Sequence, residues 1–307
     1  MIFPLISIIV ITYNSSKYIF ETLESAKNQQ YDNLELIISD DFSNDDTLEI
    51  CTKWINENKQ FFVNVELVKS TKNTGIAPNI NRGIMLAKGE WVKFIAGDDI
   101  LLNNCISDNY NIIKNNNSIK ILFTNSIKFI ETEGRKIFDC KIPLPYQKLL
   151  FNADSSTQLS NLISYKLQCP APSSFIHKKT LLDLGALDED FPFYEDFPLW
   201  VKCAKNNIML CYKDVDTVFY RQSESVTRTS LQWYHKSYYN STKIHFNQKI
   251  APYLKINDKK RLIMARLEFF KFDVLIIIFK NKKTFISKSF NYLFDTFFFN
   301  KYIKGKY

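Results

Sequence analysis

The chain has 307 residues, 46% of them hydrophobic, with 26 Phe, 16 Tyr and only 7 Gly, so it is globular and long enough to bury a sizeable core. Its net charge is +8, and the last 50 residues, with 12 Lys/Arg against four Asp/Glu, carry all of it. The neutral remainder argues against a nucleic-acid groove across the protein.

Ser7–Tyr13 (SIIVITY) is predicted as a fully buried strand. Lys17–Gln29 follows as a helix, with Ile19, Leu23 and Ala26 at helical spacing. Leu34–Ser39 is a second strand, and Asp45–Asn58 a second helix capped by Asn44 or Asp45. Val63–Lys69 is a third strand. Pro78 suits the first turn of a helix ending near Ala87, with Gly89 as its C-cap. Trp91–Ala96 is a fourth strand that runs into Gly97-Asp98-Asp99. A helix near Asn103–Asn115 and a strand near Lys120–Phe123 continue the rhythm. Residues 131–170, with Pro143 and Pro145, read as an irregular excursion. Order resumes over Cys169–Arg228, with a short helix at Leu181–Leu184 closed by Gly185 and another at Pro198–Asn206. The last 50 residues hold 10 of the 26 Phe. There Ile286, Phe290, Leu293, Phe294 and Phe297 share one helical face, and Lys288, Asn291 and Asp295 lie off it.

Strands alternating with helices predict an α/β fold, a doubly wound and mostly parallel sheet with helices on both faces. Ligands of such sheets bind beyond the carboxyl ends of the strands. Asn14, Asp40-Asp41 and Asp98-Asp99 fall at those ends and are expected to converge. Paired carboxylates repel and need water or a cation. Asp98-Asp99 has the hard oxygens that Mg²⁺ or Mn²⁺ prefers when it also binds phosphate. Asp40 or Asp41 could accept from a base N–H or a ribose hydroxyl. Asp196, beside Glu195, could take a proton from an attacking hydroxyl. Each pair, taken alone, is more often a turn or a helix cap than a functional site.

Cys51, Cys105, Cys140, Cys169, Cys203 and Cys211 form no C-x-x-C pair, and the three His do not cluster, so no zinc site is expected. Scattered single thiols fit a reducing, cytoplasmic compartment. The N-terminus lacks the basic region and cleavage site of a signal peptide. No apolar stretch reaches the ~20 residues of a membrane span. The basic charge and Phe-rich face of the tail predict peripheral contact with an anionic membrane surface; the rival is a helical cap or homo-oligomer contact.

Four segments carry a family resemblance: SIIVITYN at Ser7–Asn14, ELIISDDFSNDDT at Glu35–Thr47, NTGIAPNINRGIMLAKGEWVKFIAGDD at Asn73–Asp99, and LGALDEDFPFYEDFPLWVKCA at Leu184–Ala204. Together and in this order the chain resembles the family-2 inverting glycosyltransferases of GT-A fold over residues 5–228. The resemblance implies a GT-A domain over 1–230, with a nucleotide-binding half at 1–125 and an acceptor half at 126–230. A helical extension over 231–307 follows.

It also implies roles for the matching positions. Ile11, Tyr13 and Asn14 would pack on the base, with Asp41 contacting it and Asp40 in support. Asn73, Gly75 and Asn81 would line the nucleotide pocket, and Asp98 and Asp99 would hold ribose and a divalent metal, Mn²⁺ or Mg²⁺. Asp196 would be the catalytic base. Three positions depart from the pattern: Ala96 stands where relatives have a first Asp, Ile80 where many have Arg, and Gln222 where many have His. Glu195, Arg221 and Arg228 are then candidates for phosphate or acceptor contacts.

The implied activity is transfer of a sugar from a nucleotide donor, UDP-linked by preference, to a saccharide or lipid-linked saccharide in bacterial surface polysaccharide synthesis. A nucleotidyltransferase is the first alternative, but Asn14-Ser15-Ser16-Lys17 lacks the Gly-rich loop that grips a triphosphate. A binding module that has lost catalysis is the second, and Asp196 argues against it.

Overall fold

The computed structural model describes residues 3–151, 153–165, 169–222 and 232–298. Its contacts divide the chain into two units, 1–223 and 224–307.

The first unit begins with the expected alternation: β1 (Ile6–Thr12), α1 (Ile19–Lys27), β2 (Leu34–Asp40), α2 (Thr47–Asn58), β3 (Asn64–Lys69), α3 (Ile76–Leu86) and β4 (Trp91–Ala96). The strands β3, β2, β1 and β4 lie side by side in that order, all parallel. β1 and β2 are buried almost throughout, which explains their continuous apolar runs rather than alternation. The core formed by Ile6, Ile8, Val10, Leu36 and Ile38 with Leu23 and Trp54 of the covering helices supplies the driving force. Burial of each such aliphatic side chain contributes about 1.5–3 kcal/mol. One polar group interrupts β4: Lys93 is fully buried and donates to the Pro172 carbonyl at 2.7 Å.

Beyond β4 the chain forms β5 (Ile100–Leu101), α4 (Cys105–Ile113), β6 (Ile121–Thr132), β7 (Arg135–Ile142), α5 (Ser155–Tyr165), β8 (Phe175–His177), α6 (Lys178–Asp183), α7 (Asp196–Lys205) and β9 (Leu210–Arg221). Past β4 the same sheet continues through β8, β6, β9 and β5, with β7 paired to β6. Its parallel character is confined to the first four strands and the β6–β9 pair; β4–β8, β6–β8, β5–β9 and β6–β7 are antiparallel.

Three local expectations are corrected. The stretch after residue 131 is not irregular. It is a hairpin, β6 and β7, followed by a helix. Glu133 (φ 51°) and Gly134 (φ 73°) form its two-residue turn with Thr132 opposite Arg135, a geometry matched to strand twist. Gly89 does not cap α3, which ends at Ala87 in extended backbone. Its small size is needed because a Cβ there would lie 2.6 Å from the Ser7 nitrogen. The cap of α2 is Asp46 by position, but its side chain makes no capping bond. Asp45 instead accepts from the Thr47 N–H at 3.1 Å and from Ser16 N–H at 3.1 Å, tying the helix start to the loop after β1.

The second unit holds α8 (Lys236–His245), α9 (Ala251–Asn257), α10 (Lys259–Ile277) and α11 (Phe285–Phe298). Asp258 caps α10 by accepting from Arg261 N–H at 2.9 Å. In α11, Phe294 is buried, but Phe285, Ile286, Tyr292, Leu293 and Phe297 are exposed. The face predicted from the sequence is thus split between an inward and an outward edge. No helix among the described residues is long and apolar enough to cross a membrane.

Candidate active site

The register of the parallel strands brings three chain segments to one edge. Thr12 pairs with Asp40 and Ile11 with Ala96, so Tyr13-Asn14, Asp40-Asp41 and Gly97-Asp98-Asp99 emerge side by side. Main-chain bonds continue past the strands, Asp41 N–H to Thr12 O and Gly97 N–H to Ile11 O, both at 2.9 Å. Tyr13 is 45% exposed. Asn14, in left-handed backbone at φ 50°, accepts from Asn44 N–H at 2.9 Å through its side chain and donates its own N–H to Ser43 Oγ at 2.8 Å. An asparagine tolerates that backbone better than most residues.

Both carboxylates of the first pair are tightly held. Asp40 is fully buried and accepts from Thr12 Oγ1 (2.8 Å), Ser43 N–H (2.9 Å) and Ser43 Oγ (2.5 Å). Asp41 accepts four donors: Thr74 N–H at 2.9 Å, Gly75 N–H at 2.7 Å, Thr74 Oγ1 at 2.6 Å and Arg82 Nη2 at 2.7 Å. Four donors fill the acceptor capacity of a carboxylate. Asp41 therefore organises the 73–75 loop in this structure. Arg82, which sequence reasoning passed over, completes the arrangement and also reaches Thr74 Oγ1 at 2.8 Å. The only hint was its place two residues after Ile80, the position where the family resemblance leads one to expect an arginine.

Gly75 sits at φ 99°, open mainly to glycine, and a Cβ there would lie 2.7 Å from Pro192 Cβ and 2.8 Å from Pro192 O. The Pro192 carbonyl also accepts from Ile76 N–H at 2.7 Å and Ala77 N–H at 3.3 Å. Asn81 binds this same later segment, donating to Leu187 O (3.0 Å) and Glu189 Oε1 (2.8 Å) and accepting from Leu187 N–H (3.1 Å). It clamps α3 to this segment. Asn73 is exposed at the loop surface.

The clamped segment leads into Glu195 and Asp196. Asp196 is the first residue of α7, and its carboxylate accepts from Phe197 N–H at 2.6 Å. Glu195 occupies the cap position without making a side-chain cap bond, so neither carboxylate serves as an ordinary N-cap. Burial raises the proton affinity of both, and the charge of Asp196 raises that of Glu195 further. Raised carboxylates suit proton transfer near neutral pH.

At the end of β4, Asp98 is partly exposed and Asp99 is 1% exposed. Asp99 accepts from Arg221 N–H at 2.9 Å, and its carbonyl accepts from Thr22 Oγ1 at 2.7 Å. Burial, and then the neighbouring Asp98 charge, push the Asp99 carboxyl well above its usual range. A divalent cation would relieve that repulsion, and adjacent hard oxygens fit one that leaves positions open to phosphate. No group of three or more His, Cys, Asp or Glu gathers among the described residues, so a complete protein cage is not formed there. Arg221 is buried in ion pairs with Glu21 and Glu131 and is not presented to a phosphate. Arg228 lies outside the described residues.

The sequence profile of the family described as Glycosyl transferase family 2 matches residues 7–164. An Escherichia coli protein named UDP-Glc:alpha-D-GlcNAc-diphosphoundecaprenol beta-1,3-glucosyltransferase WfaP is 28% identical over 221 residues, covering 71% of this chain and 77% of that one. Among solved structures, S. aureus TarS 1-349 in complex with UDP-GlcNAc superposes with a TM-score of 0.58 at 21% identity, covering 93% of this chain and 78% of that one. The mannosyltransferase PcManGT from Pyrobaculum calidifontis in complex with GDP-Man and Mn²⁺ gives 0.57 at 18% identity, with 82% and 64% covered. At these identities the two structures show the shared fold alone. The chain spans about half the length, 43% to 58%, of three further curated relatives named as glycosyltransferases.

Proposed function

Because the chain belongs to glycosyl transferase family 2, we propose that it moves one sugar, with inversion, from a UDP-linked donor to a hydroxyl of a saccharide or lipid-linked saccharide. The setting we propose is bacterial surface polysaccharide synthesis. One observation carries this reading: the ends of β1, β2 and β4 meet, and the segment leading to Asp196 is bonded onto the loop that Asp41 holds. Residues 1–125 supply the donor half and 126–230 the acceptor half. The name of WfaP supports a diphosphoundecaprenol-linked acceptor, and the TarS complex supports a UDP-sugar donor.

In this reading the acceptor oxygen bonds to the anomeric carbon as the bond to the diphosphate breaks on the opposite face, and Asp196 takes the acceptor proton. The raised proton affinity of Asp196 matches it to that task. Tyr13 offers an exposed ring to the base, and Asp98 is the more accessible of its pair for ribose. Mn²⁺ or Mg²⁺, when held by Asp98 and Asp99, supplies positive charge against the departing diphosphate. A thermal-shift panel of nucleotide sugars with Mn²⁺ tests the donor, since binding stabilises by mass action. Asp196→Asn should abolish transfer and keep donor binding. Loss of both would make Asp196 structural.

We further propose that the protein works at the cytoplasmic membrane face through α11. The support is its exposed Phe285, Ile286, Leu293 and Phe297 beside Lys282, Lys283 and Lys288. Replacing Ile286, Leu293 and Phe297 together by Ser should remove salt-sensitive binding to vesicles containing phosphatidylglycerol. Unchanged binding would point the face toward another protein or a second copy.

A further inference from the structure

We propose that Arg221 is a positioning residue for the Asp98-Asp99 carboxylates, with Glu21 and Glu131 as the counter-charges that hold it. This rests on the reading of that pair as the ribose and metal carboxylates. Arg221 is the last residue of β9, and its side chain is 1% exposed. Its Nε donates to the Asp98 carbonyl at 2.8 Å, and its main-chain N–H donates to Asp99 Oδ1 at 2.9 Å. Nη1 meets Glu131 at the far end of β6, and Nη2 meets Glu21 on α1. The guanidinium carbon lies 4.1 Å from the Tyr18 ring centroid and 4.6 Å from that of Phe129.

Every guanidinium nitrogen is therefore engaged, and two aromatic rings lie within stacking distance of the guanidinium carbon. A rigid planar fork spreads its donors over three separate nitrogens and packs flat against aromatic rings, whereas an ammonium gathers its donors on one atom. The turn is also held from the other side, where Thr22, next to Glu21, binds the Asp99 carbonyl. One side chain thus joins α1, the turn after β4, the β6–β7 hairpin and β9. Lys136 of β7 adds a second tie through its own ion pair with Glu21. Outer groups that orient metal-binding carboxylates typically change metal affinity by ~10- to 100-fold.

The test uses the full chain with Arg221→Lys. UDP binding is titrated with and without Mn²⁺ well below the unfolding temperature, and amide exchange is followed in the metal-free protein. The Mn²⁺ concentration for half-maximal UDP binding should rise about 10-fold while metal-free UDP affinity holds. Exchange over residues 97–101 should quicken while Ile6–Thr12 stays protected. Glu131→Gln should move both readouts in the same direction. An unchanged Mn²⁺ requirement with unchanged exchange overturns the proposal. So does an equal loss of UDP affinity with and without metal, accompanied by faster exchange throughout residues 3–222, because that is general destabilisation. If the wild type binds UDP with no Mn²⁺ dependence, the metal reading falls by itself, and exchange over 97–101 alone decides the role of Arg221.

Discussion

Asp41→Asn separates the loop-holding seen in the structure from the base contact expected from the sequence. The side chain is 4% exposed and receives four donors, one of them the Arg82 guanidinium at 2.7 Å. Asn keeps a single acceptor oxygen and turns an NH₂ toward donors on the other side. The Thr74 and Gly75 N–H groups lose their shared oxygen, or Arg82 and Thr74 Oγ1 lose theirs. Removing one partner of a buried ion pair costs about 3–5 kcal/mol, largely because the remaining charge is left uncompensated. Against a total stability of ~5–15 kcal/mol, the loss should be plain in urea unfolding without any ligand. Trp54, Trp91 and Trp200 are all buried in the first unit and supply the fluorescence signal. A double-mutant cycle with Arg82→Met should give a coupling of roughly 1–3 kcal/mol. A ligand-free loss below about 1 kcal/mol, with nucleotide binding abolished, would refute the loop-holding role and return Asp41 to the base.

Gly75→Ala should cost about 2–5 kcal/mol, since it adds left-handed strain to a clash with Pro192, and kcat should fall with stability; a neutral effect in thermal unfolding would contradict the close approach. Glu195, raised to about 8 by burial and by Asp196, favours the protonated form in the fold. Its stabilising contribution is complete below the unfolded carboxylate range and is lost as pH rises through about 8. Glu195→Gln should therefore flatten the decline in melting temperature between about pH 4.5 and 8; an unchanged slope would place the linkage elsewhere. The acid limb of kcat/KM should lie above the usual carboxylate range, because Asp196, as the proposed base, would have to lose its proton to act, and a limb near pH 4 would remove it as the base. Chelation, or Asp99→Ala, should abolish donor-dependent turnover, and full activity after either would sink the metal assignment.

The parallel half of the sheet was legible because SIIVIT, LELIIS and WVKFIA are buried on both faces and show as dense apolar runs, broken inside only by Glu35 and Lys93. Carboxylates directly after such runs then mark the edge where the carboxyl ends of the strands meet. β7 escaped notice because RKIFDCKI is mostly exposed and its pattern answers to solvent rather than to a core. The work of Asn81, Arg82 and Arg221 was hidden for another reason. Their partners lie between 3 and 200 residues away along the chain, and no local spacing records which carbonyl or carboxylate a long side chain will meet. For α11, periodicity revealed an apolar face but could not say which edge of it would be covered.

The Pro192 carbonyl that receives Ile76 and Ala77 is a main-chain group. Replacing the side chain at 192 leaves it in place, so a side-chain scan would pass over the joint between the two loops. The constraint falls on the opposite partner, where glycine alone leaves room. An engineer seeking to loosen the segment around Leu187 and Pro192 should therefore work from Gly75 or Asn81 and leave the proline alone.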